Sequence, residues 1–235
     1  MYMKILDLFS GTHSVQRAID SDLRLHGWEV TSLDLSMADI NCDIMEWDYK
    51  SAFEPGHFDI IWASPVCVHF SRLKRINISR SPCKNGKIFT PESIEADISN
   101  IGVPMLNKCW EIIDFFKPKY FFLENPAMGR TKDYIDPSIP FFTVDYCMYG
   151  FLHRKRTNVW TNLKDFEPKL CDKSCPGFVD GKHIQKVNVL GGGSSSNVMG
   201  KRAIRSKVPE KLIAELFKGV IREVLEKYEK KYSEK

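Results

Sequence analysis

The sequence predicts an α/β fold in which a mostly parallel sheet is covered by helices on both faces. Short apolar runs alternate along the chain with segments whose apolar residues follow helical spacing. Such alternation favours parallel strands joined by helices, and strands buried on both faces are apolar throughout. At 235 residues, the chain fits one domain with a sizeable core.

The first half of the chain begins with a predicted strand, turn and helix. Residues 3–9 form an apolar run that ends in a glycine-containing turn, and helical spacing then continues to Gly27. Residues 28–35 and 58–63 are the next predicted strands.

The second half continues with helix, strand and a closing strand pair. Residues 91–116 are predicted to be mostly helical, with interruptions at Gly102 and Pro104, and residues 119–123 form a buried strand. Residues 141–148 and 157–161 then form the closing pair. From Pro209 a wide apolar face of helical spacing predicts a last helix packed on the sheet.

Composition limits the kind of protein. There are seven cysteines, and an odd number without regular spacing favours a reducing compartment over a disulfide framework. No run of about 18 apolar residues occurs, so we expect no membrane span or signal peptide, and a cytoplasmic protein, or a nuclear one if the source is eukaryotic. The net charge of +4 is compatible with nucleic acid but does not require it.

Four short motifs follow or end predicted strands. They are Asp7-Leu8-Phe9-Ser10-Gly11, Pro65-Val66-Cys67 before Phe70-Ser71, Glu124-Asn125-Pro126 and, after Tyr149-Gly150, the run Arg154-Lys155-Arg156. Open α/β sheets bind ligands at the carboxyl ends of their strands. A thiol in a turn at that edge, as at Cys67, is a candidate nucleophile.

In this order the motifs resemble those of the DNA cytosine-5 methyltransferase family, which are D-x-F-x-G-x-G, P-P-C-x-x-F-S, E-N-V and Q-x-R-x-R. The resemblance covers residues 4–162, with a weaker echo at residues 205–212. It implies a Rossmann-like, S-adenosylmethionine-dependent methyltransferase fold. The whole chain, residues 1–235, would be one small methyltransferase domain of the orphan or viral kind.

S-adenosylmethionine is the cofactor that the resemblance implies. A glycine turn lets a ligand approach the backbone, and a helix N-terminus favours an anionic group. The ribose hydroxyls would bind Asp34, and the adenine would meet Asp43 and Ile44. The implied contacts are Phe9, Ser10, Gly11, Thr12, His13, Ser14, Asp34, Leu35, Asp43, Ile44, Ser64, Pro65 and Ser206. Of these, His13-Ser14 replace Gly-Gly, Asp34 replaces Glu, and Ser206 replaces Asn of the family pattern.

The resemblance also assigns the catalytic roles. Cys67 would add to C6 of cytosine, so that C5 becomes nucleophilic enough to take a methyl group. Glu124 would protonate or hydrogen-bond N3, and Asn125 would orient the amino group. Arg154 would contact the base carbonyl and Arg156 would support it through forked donors. Since His69 follows Cys67 by two residues, a Cys-His dyad is a less favoured alternative.

DNA is the expected partner, double-stranded or possibly single-stranded, because C6 is reachable only on a flipped-out or unpaired base. No obligate protein partner is evident. Phosphates would be neutralised by basic residues that follow the candidate nucleophile. These residues are Arg72, Lys74, Arg75, Arg80 and Lys84.

Only residues 163–204 are available where the family carries a full target-recognition region, so we expect a reduced recognition stub. Its residues 191–196 have the composition of a flexible linker. The stub also holds Cys171, Cys175 and His183, three possible zinc ligands without an identified fourth. Three ligands without paired spacing are a weak signal, and no metal is predicted.

Two other functions remain open. Ser64-Pro65-Val66-Cys67 is also similar to the S-P-P-Y motif of N4 and N6 amino-methyltransferases, but it lacks the aromatic residue that stacks on the base. A non-catalytic nucleic-acid-binding relative is favoured by His13-Ser14 and by the small stub, and opposed by Cys67 and Glu124. No residue separates DNA from RNA as substrate.

Overall fold

A computed structural model describes residues 2–78, 88–185 and 205–233. The strands are β1 (Lys4–Leu8), β2 (Glu29–Asp34), β3 (Ile40–Asn41), β4 (Ile60–Ala63), β5 (Tyr120–Pro126), β6 (Phe141–Asp145), β7 (Arg156–Thr161), β8 (Phe178–Val179) and β9 (Lys182–His183). The α-helices are α1 (Ser14–Ser21), α2 (Tyr49–Ala52), α3 (Pro91–Asp97), α4 (Val103–Phe116) and α5 (Glu210–Ser233).

Seven of these strands form one sheet in the order β3-β2-β1-β4-β5-β7-β6. Strands β3, β2, β1, β4 and β5 are parallel to one another, whereas β7 runs antiparallel to both β5 and β6. The mostly parallel sheet and its closing antiparallel pair are therefore confirmed. Because β1, β4 and β5 are adjacent, their carboxyl ends meet at one edge, and three of the four motifs lie at or just after these ends.

The core lies on both faces of this sheet. On one face Ile5, Trp62 and Phe122 pack with Ile19 of α1 and Phe217 of α5. On the other face a second apolar cluster, which includes Leu6, Ile61 and Leu123, packs against α3 and α4. Burial on both faces explains why the strands are apolar throughout instead of alternating.

The helical region of residues 91–116 changes character where the sequence predicted. Helix α3 ends at Asp97, a wider helical turn spans Ile98–Gly102, and α4 begins with Pro104 in its first turn. Proline is tolerated there because the first N–H groups of a helix have no partner in the helix.

The shortest elements were not predicted. Strands β3, β8 and β9 have two residues each, and helix α2 has four. Segments of that length are too short for apolar periodicity to identify. In the described ranges, no helix is both long and apolar enough to cross a membrane. The predicted linker at residues 191–196 lies outside the described residues.

Candidate active site

The turn after β1 brings backbone close to the end of β2. Phe9 and His13 adopt the left-handed conformation with φ of 61° and 54°, which is uncommon for residues other than glycine. The Gly11 N–H donates to Oδ2 of Asp34 over 2.9 Å, and Leu35 N–H donates to Oδ1 of the same carboxylate over 2.7 Å. The strained turn and Asp34 therefore form one unit at the sheet edge.

Several predicted cofactor residues already have partners in the protein. The Ser14 hydroxyl accepts the Val208 N–H over 3.2 Å and lies 3.3 Å from Thr12 Oγ1, which ties α1 to the segment before α5. By contrast, the Ser10 hydroxyl is buried with no hydrogen-bond partner among the described residues. A buried hydroxyl without a partner is costly, so a ligand at this edge would satisfy it.

The other predicted cofactor contacts surround the same edge. Leu35 and Asp43 are exposed there, whereas Ile44 is buried in the core. Ser64 Oγ accepts a hydrogen bond from Trp62 Nε1 over 2.9 Å, and this bond fixes the Ser64 side chain at the end of β4. Ser206 lies exposed in the segment that leads into α5.

Cys67 lies in the loop after β4, with an accessible side chain. The Phe70 N–H donates to Cys67 O over 3.2 Å, and the buried Phe70 accepts the Arg130 N–H at its own carbonyl over 2.9 Å. A Cβ on Gly102 would stand 3.0 Å from both His69 and Phe70. Glycine is therefore required for the helical turn to pack this close to the loop.

The electrostatics of the thiol depend on two neighbours. The pKa of Cys67 is raised from its usual value, chiefly because surrounding protein atoms desolvate the thiolate. The positive charge of Lys155 lowers this pKa and the negative charge of Glu124 raises it. The predicted nucleophile and the predicted acid are thus within electrostatic reach of each other, and Lys155 is the cation that favours the thiolate.

Glu124 is buried near the end of β5, where Tyr146 and Lys155 hold one of its oxygens. The Tyr146 hydroxyl donates to Oε1 over 2.7 Å, and Lys155 Nζ lies 3.5 Å from the same atom. Burial first, and the charge of Glu124 second, raise the pKa of Tyr146 well above its usual value, so this hydroxyl stays a donor. Within the described chain, Oε2 receives no hydrogen bond and forms no ion pair.

Asn125 supports the loop that carries Cys67. Its Nδ2 donates to Pro65 O over 2.8 Å, and its Oδ1 accepts the Thr131 hydroxyl over 2.6 Å. The residue therefore fixes the chain just before Cys67 against the end of β5.

Arg154 and Arg156 both contact Asp145 at the end of β6. Arg156 Nη2 lies 2.8 Å from Oδ2, Arg154 Nε lies 3.2 Å from Oδ1, and the Cys171 N–H donates to Oδ2 over 2.9 Å. Burial alone would raise the pKa of Asp145, but these partners bring it below the usual value. In an extended chain alternate residues face opposite sides, which is why Lys155, and neither arginine, reaches Glu124.

The basic segment after Cys67 is only partly described. Lys74 is mostly buried and pairs with Asp97, and Arg75 lies 3.7 Å from Glu95. Arg72 is exposed and makes no ion pair within the described ranges. The other two predicted phosphate contacts, Arg80 and Lys84, lie outside the described residues. His69 Nδ1 lies 3.3 Å from Asp97, so the described geometry does not provide a Cys67–His69 dyad.

Sequence reasoning missed three residues of this site. Lys155 was overlooked between two arginines, although the period of two in an extended chain separates it from them. Tyr146 and Asp145 carry no motif of their own, because their roles depend on the pairing of β6 with β7 and on the proximity of β5. Cys171, Cys175 and His183, which the sequence offered only as a weak possibility of a metal site, do come together, next to Cys147.

Comparisons with known proteins give a sequence relative and structural neighbours. A Frog virus 3 protein described as "Probable DNA (cytosine-5)-methyltransferase" is 39% identical over 223 residues, which cover 91% of this chain and 98% of the relative. No protein-family model matches the sequence. Among solved structures, the methyltransferase EhMeth of Entamoeba histolytica is similar with 12% identity and a TM-score of 0.49, covering 73% of this chain. The S. pombe Dnmt2 methyltransferase is similar with 12% identity and a TM-score of 0.43, covering 74%. The chain spans 56% and 53% of those two structures.

Proposed function

The chain belongs to the DNA (cytosine-5) methyltransferase family, and on that basis we propose that it methylates C5 of cytosine in DNA through a covalent bond between Cys67 and C6. One observation carries the proposal. The Cys67 thiol, the Glu124 carboxylate and the Lys155 ammonium form one electrostatic cluster at the carboxyl edge of the parallel sheet. That combination supplies a nucleophile, an acid and a charge that stabilises the thiolate.

The cofactor site is the edge formed by the β1 turn and the end of β2. S-adenosylmethionine, when bound, supplies an electrophilic methyl group on a positively charged sulfur. The Asp34 carboxylate is suited to ribose hydroxyls, and the buried Ser10 hydroxyl needs a partner that a polar ligand would provide. These residues fit the cofactor, although the Ser14 hydroxyl is already used within the protein.

The proposed reaction begins with the Cys67 thiolate, whose sulfur forms a bond to C6 as the C5–C6 double bond moves electron density to C5. C5 would then take the methyl group from the bound cofactor, whose sulfur would keep the electron pair of the broken bond and become a neutral thioether. Loss of the C5 proton to a base and cleavage of the sulfur–C6 bond restore the ring double bond and the thiolate. The addition step needs Cys67 to be a good nucleophile and the elimination step needs it to be a good leaving group, and a thiolate is both.

Glu124 acts on N3 of the base. Tyr146 and Lys155 both hold Oε1, which leaves Oε2 to face the base and to share a proton with N3. Proton transfer or a strong hydrogen bond at N3 lowers the barrier to thiolate addition. Lys155 would support both groups, because its charge favours the thiolate of Cys67 and fixes the carboxyl group of Glu124.

Asn125, Arg154 and Arg156 complete the proposed base site. Asn125 would hold the Cys67 loop and present its remaining amide N–H. Asp145 holds the two guanidinium groups while leaving each more than a third exposed, so they can still reach a base carbonyl or a phosphate.

DNA would lie across this edge with the target base flipped out of the helix. Arg72 is the most available described cation of the segment after Cys67, and with Arg80 and Lys84 it would bind phosphates. We further propose that residues 1–235 act as one methyltransferase domain and that residues 163–204 form its reduced recognition stub. Of that stub, residues 163–185 are described.

Nucleoside analysis tests the proposal. The full chain is incubated with labelled S-adenosylmethionine and unmodified DNA or RNA, and the products are digested and identified by mass spectrometry. The proposal predicts labelled 5-methylcytosine from DNA. Label on N4 of cytosine or N6 of adenine would indicate the amino-methyltransferase alternative, and no product with intact DNA binding would indicate a non-catalytic relative.

A further inference from the structure

A compact cluster of three thiols and one imidazole lies outside the proposed active site. Its members are Cys147, in the turn after β6, and Cys171, Cys175 and His183, in the segment after β7. One potential ligand atom from each residue lies within 4.8 Å of every other. Cys147 precedes Cys171 by more than twenty positions, which is why no sequence spacing indicated it.

The distances among Cys171, Cys175 and His183 match those around a tetrahedral metal ion. The Sγ atoms of Cys171 and Cys175 are 3.7 Å apart, and His183 Nε2 lies 3.6 Å and 3.4 Å from them. With zinc–sulfur bonds of ~2.3 Å and zinc–nitrogen bonds of ~2.0 Å, tetrahedral geometry requires ~3.8 Å between two sulfurs and ~3.5 Å between sulfur and nitrogen.

Local structure explains how His183 reaches the thiols. Asp180 and Gly181 both have positive φ, as required for the tight turn of a two-residue hairpin. This turn pairs Phe178 with His183 in the β8–β9 hairpin, and the Phe178 N–H donates to Cys175 O over 3.0 Å. The hairpin thus brings the His183 imidazole back beside Cys175, which lies just before the hairpin in the chain.

Ordinary packing does not explain this arrangement. A buried cysteine normally behaves as a small apolar side chain, but here an imidazole nitrogen approaches two thiols. A disulfide between Cys171 and Cys175 would leave Cys147 and His183 without a role, and its sulfurs would be only ~2.05 Å apart. Strands of two residues are also too short to hold a hairpin without another constraint.

We propose that Cys147, Cys171, Cys175 and His183 bind one zinc ion that fastens the recognition stub to the catalytic sheet. Three thiolates and one imidazole in a tetrahedral arrangement are typical of structural zinc sites. All four positions are filled by protein, so the ion has no open position for a substrate.

The zinc site would also support the arginine pair. The Cys171 N–H donates to Asp145, and Asp145 holds Arg154 and Arg156. A metal bound to the Cys171 thiolate would hold the Cys171 backbone, and with it this N–H, in one position. Removing the metal should therefore loosen the arginines and weaken DNA binding. This consequence rests on the proposed function, but the metal site does not.

The first experiment measures the zinc content of the untagged full chain, purified under reducing conditions, by inductively coupled plasma mass spectrometry. One zinc per chain is expected in the wild type and in the Cys67→Ser variant. Cys147→Ser and Cys175→Ser should lose at least nine tenths of it. Cys42→Ser, the same change at a partly exposed thiol outside the cluster, should keep it. A wild type without zinc, or a Cys175→Ser variant that keeps zinc in full, would overturn the proposal.

A second experiment does not depend on the variants folding. Wild-type chain depleted of metal by a chelator is titrated with cobalt(II), whose tetrahedral thiolate complexes absorb strongly in the near ultraviolet and visible. The proposal expects these bands to saturate at one equivalent and to disappear when zinc is added. Absence of the bands, or a Cys171–Cys175 disulfide found by peptide mapping of the fresh protein, would contradict the site. Because Cys67→Ser should retain zinc, failure of the catalytic proposal would leave these results unchanged.

Discussion

Lys155→Met removes the one cation that lies next to both Glu124 and Cys67 in the described structure. At 3.5 Å from Glu124 Oε1, and with an effective dielectric constant of 20, the Coulomb attraction of the ion pair is about 5 kcal/mol. Much of that is offset by the desolvation of two nearly buried groups. Lys155 also lowers the pKa of the Cys67 thiol, so we expect its loss to raise that pKa further.

The direction follows from the charge, because a nearby cation favours the thiolate and its removal favours the thiol. Since the pKa of Cys67 is already raised, the thiolate fraction at neutral pH should fall further when Lys155 is removed. Looser positioning of Glu124 adds to this loss, so the single-turnover methylation rate should fall ~10- to 100-fold.

Alkylation of Cys67 by iodoacetamide, followed by peptide mass spectrometry across a pH series, measures the thiol directly and needs no substrate. The midpoint should move to higher pH in Lys155→Met and stay near the wild-type value in Lys155→Arg, which keeps the charge. Lys50→Met, the same change at an exposed lysine on α2, is the matched control. An alkylation midpoint unchanged in Lys155→Met would refute the electrostatic role.

Four further predictions test other parts of the account. Glu124→Gln should slow single-turnover methylation ~10²- to 10⁴-fold with little change in DNA affinity, because an amide cannot pass a proton to N3. If the variant instead binds DNA more weakly and its chemical rate is unchanged, Glu124 contributes to affinity alone. Gly102→Ala should lower the single-turnover methylation rate although residue 102 does not contact the substrate, since the new Cβ would stand 3.0 Å from His69 and Phe70 in the loop that carries Cys67. An unchanged rate would show that this loop can move to accommodate the Cβ. Asp145→Asn should lower the free energy of unfolding at pH 7 by about 1.5–3 kcal/mol, nearer the lower value because both guanidinium groups are partly exposed. DNA affinity should fall steeply with salt, because phosphate contacts dominate binding. Bisulfite sequencing of fully methylated DNA should reveal a relaxed target of a few bases, because each base contact that a small stub can make gives only ~1–3 kcal/mol of discrimination. A strict target of six or more base pairs would contradict this.

The pH dependence of the Asp145→Asn effect has a definite sign. The pKa of Asp145 is lowered in the folded protein, so its charge stabilises the fold above the unfolded pKa of about 3.9. That stabilisation is lost as the pH falls through the lower, folded pKa. Chemical denaturation should therefore show a difference between wild type and variant that is complete above about pH 5 and shrinks on further acidification. A difference that grows on acidification would contradict the assigned partners.

Local features of the fold could be predicted from the sequence because they depend on nearby residues. The apolar runs identified β1, β2, β4 and β5, and the glycine turn before α1 followed from its composition. The order of the strands depends on long-range packing, which periodicity does not report. The β8–β9 hairpin was missed for a different reason, since two residues per strand carry no pattern.

The candidate site shows the same division. Cys67 and Glu124 were recognisable because each follows or ends an apolar strand within a short motif. Lys155 was obscured by its neighbours, and only the geometry separates it from Arg154 and Arg156. Cys147 was unrecognisable as a ligand because the contact that brings it to Cys175 joins distant parts of the chain.

The covalent role of Cys67 can be tested most directly by trapping the enzyme on its substrate. An oligonucleotide that contains 5-fluorocytosine is incubated with the full chain and S-adenosylmethionine, because fluorine at C5 prevents loss of the proton that normally precedes release of the thiolate. We expect a denaturation-resistant adduct in which the methylated oligonucleotide maps to Cys67, and no adduct with Cys67→Ser. Methylation of ordinary cytosine at C5 without any such adduct, or an adduct on another residue, would contradict it.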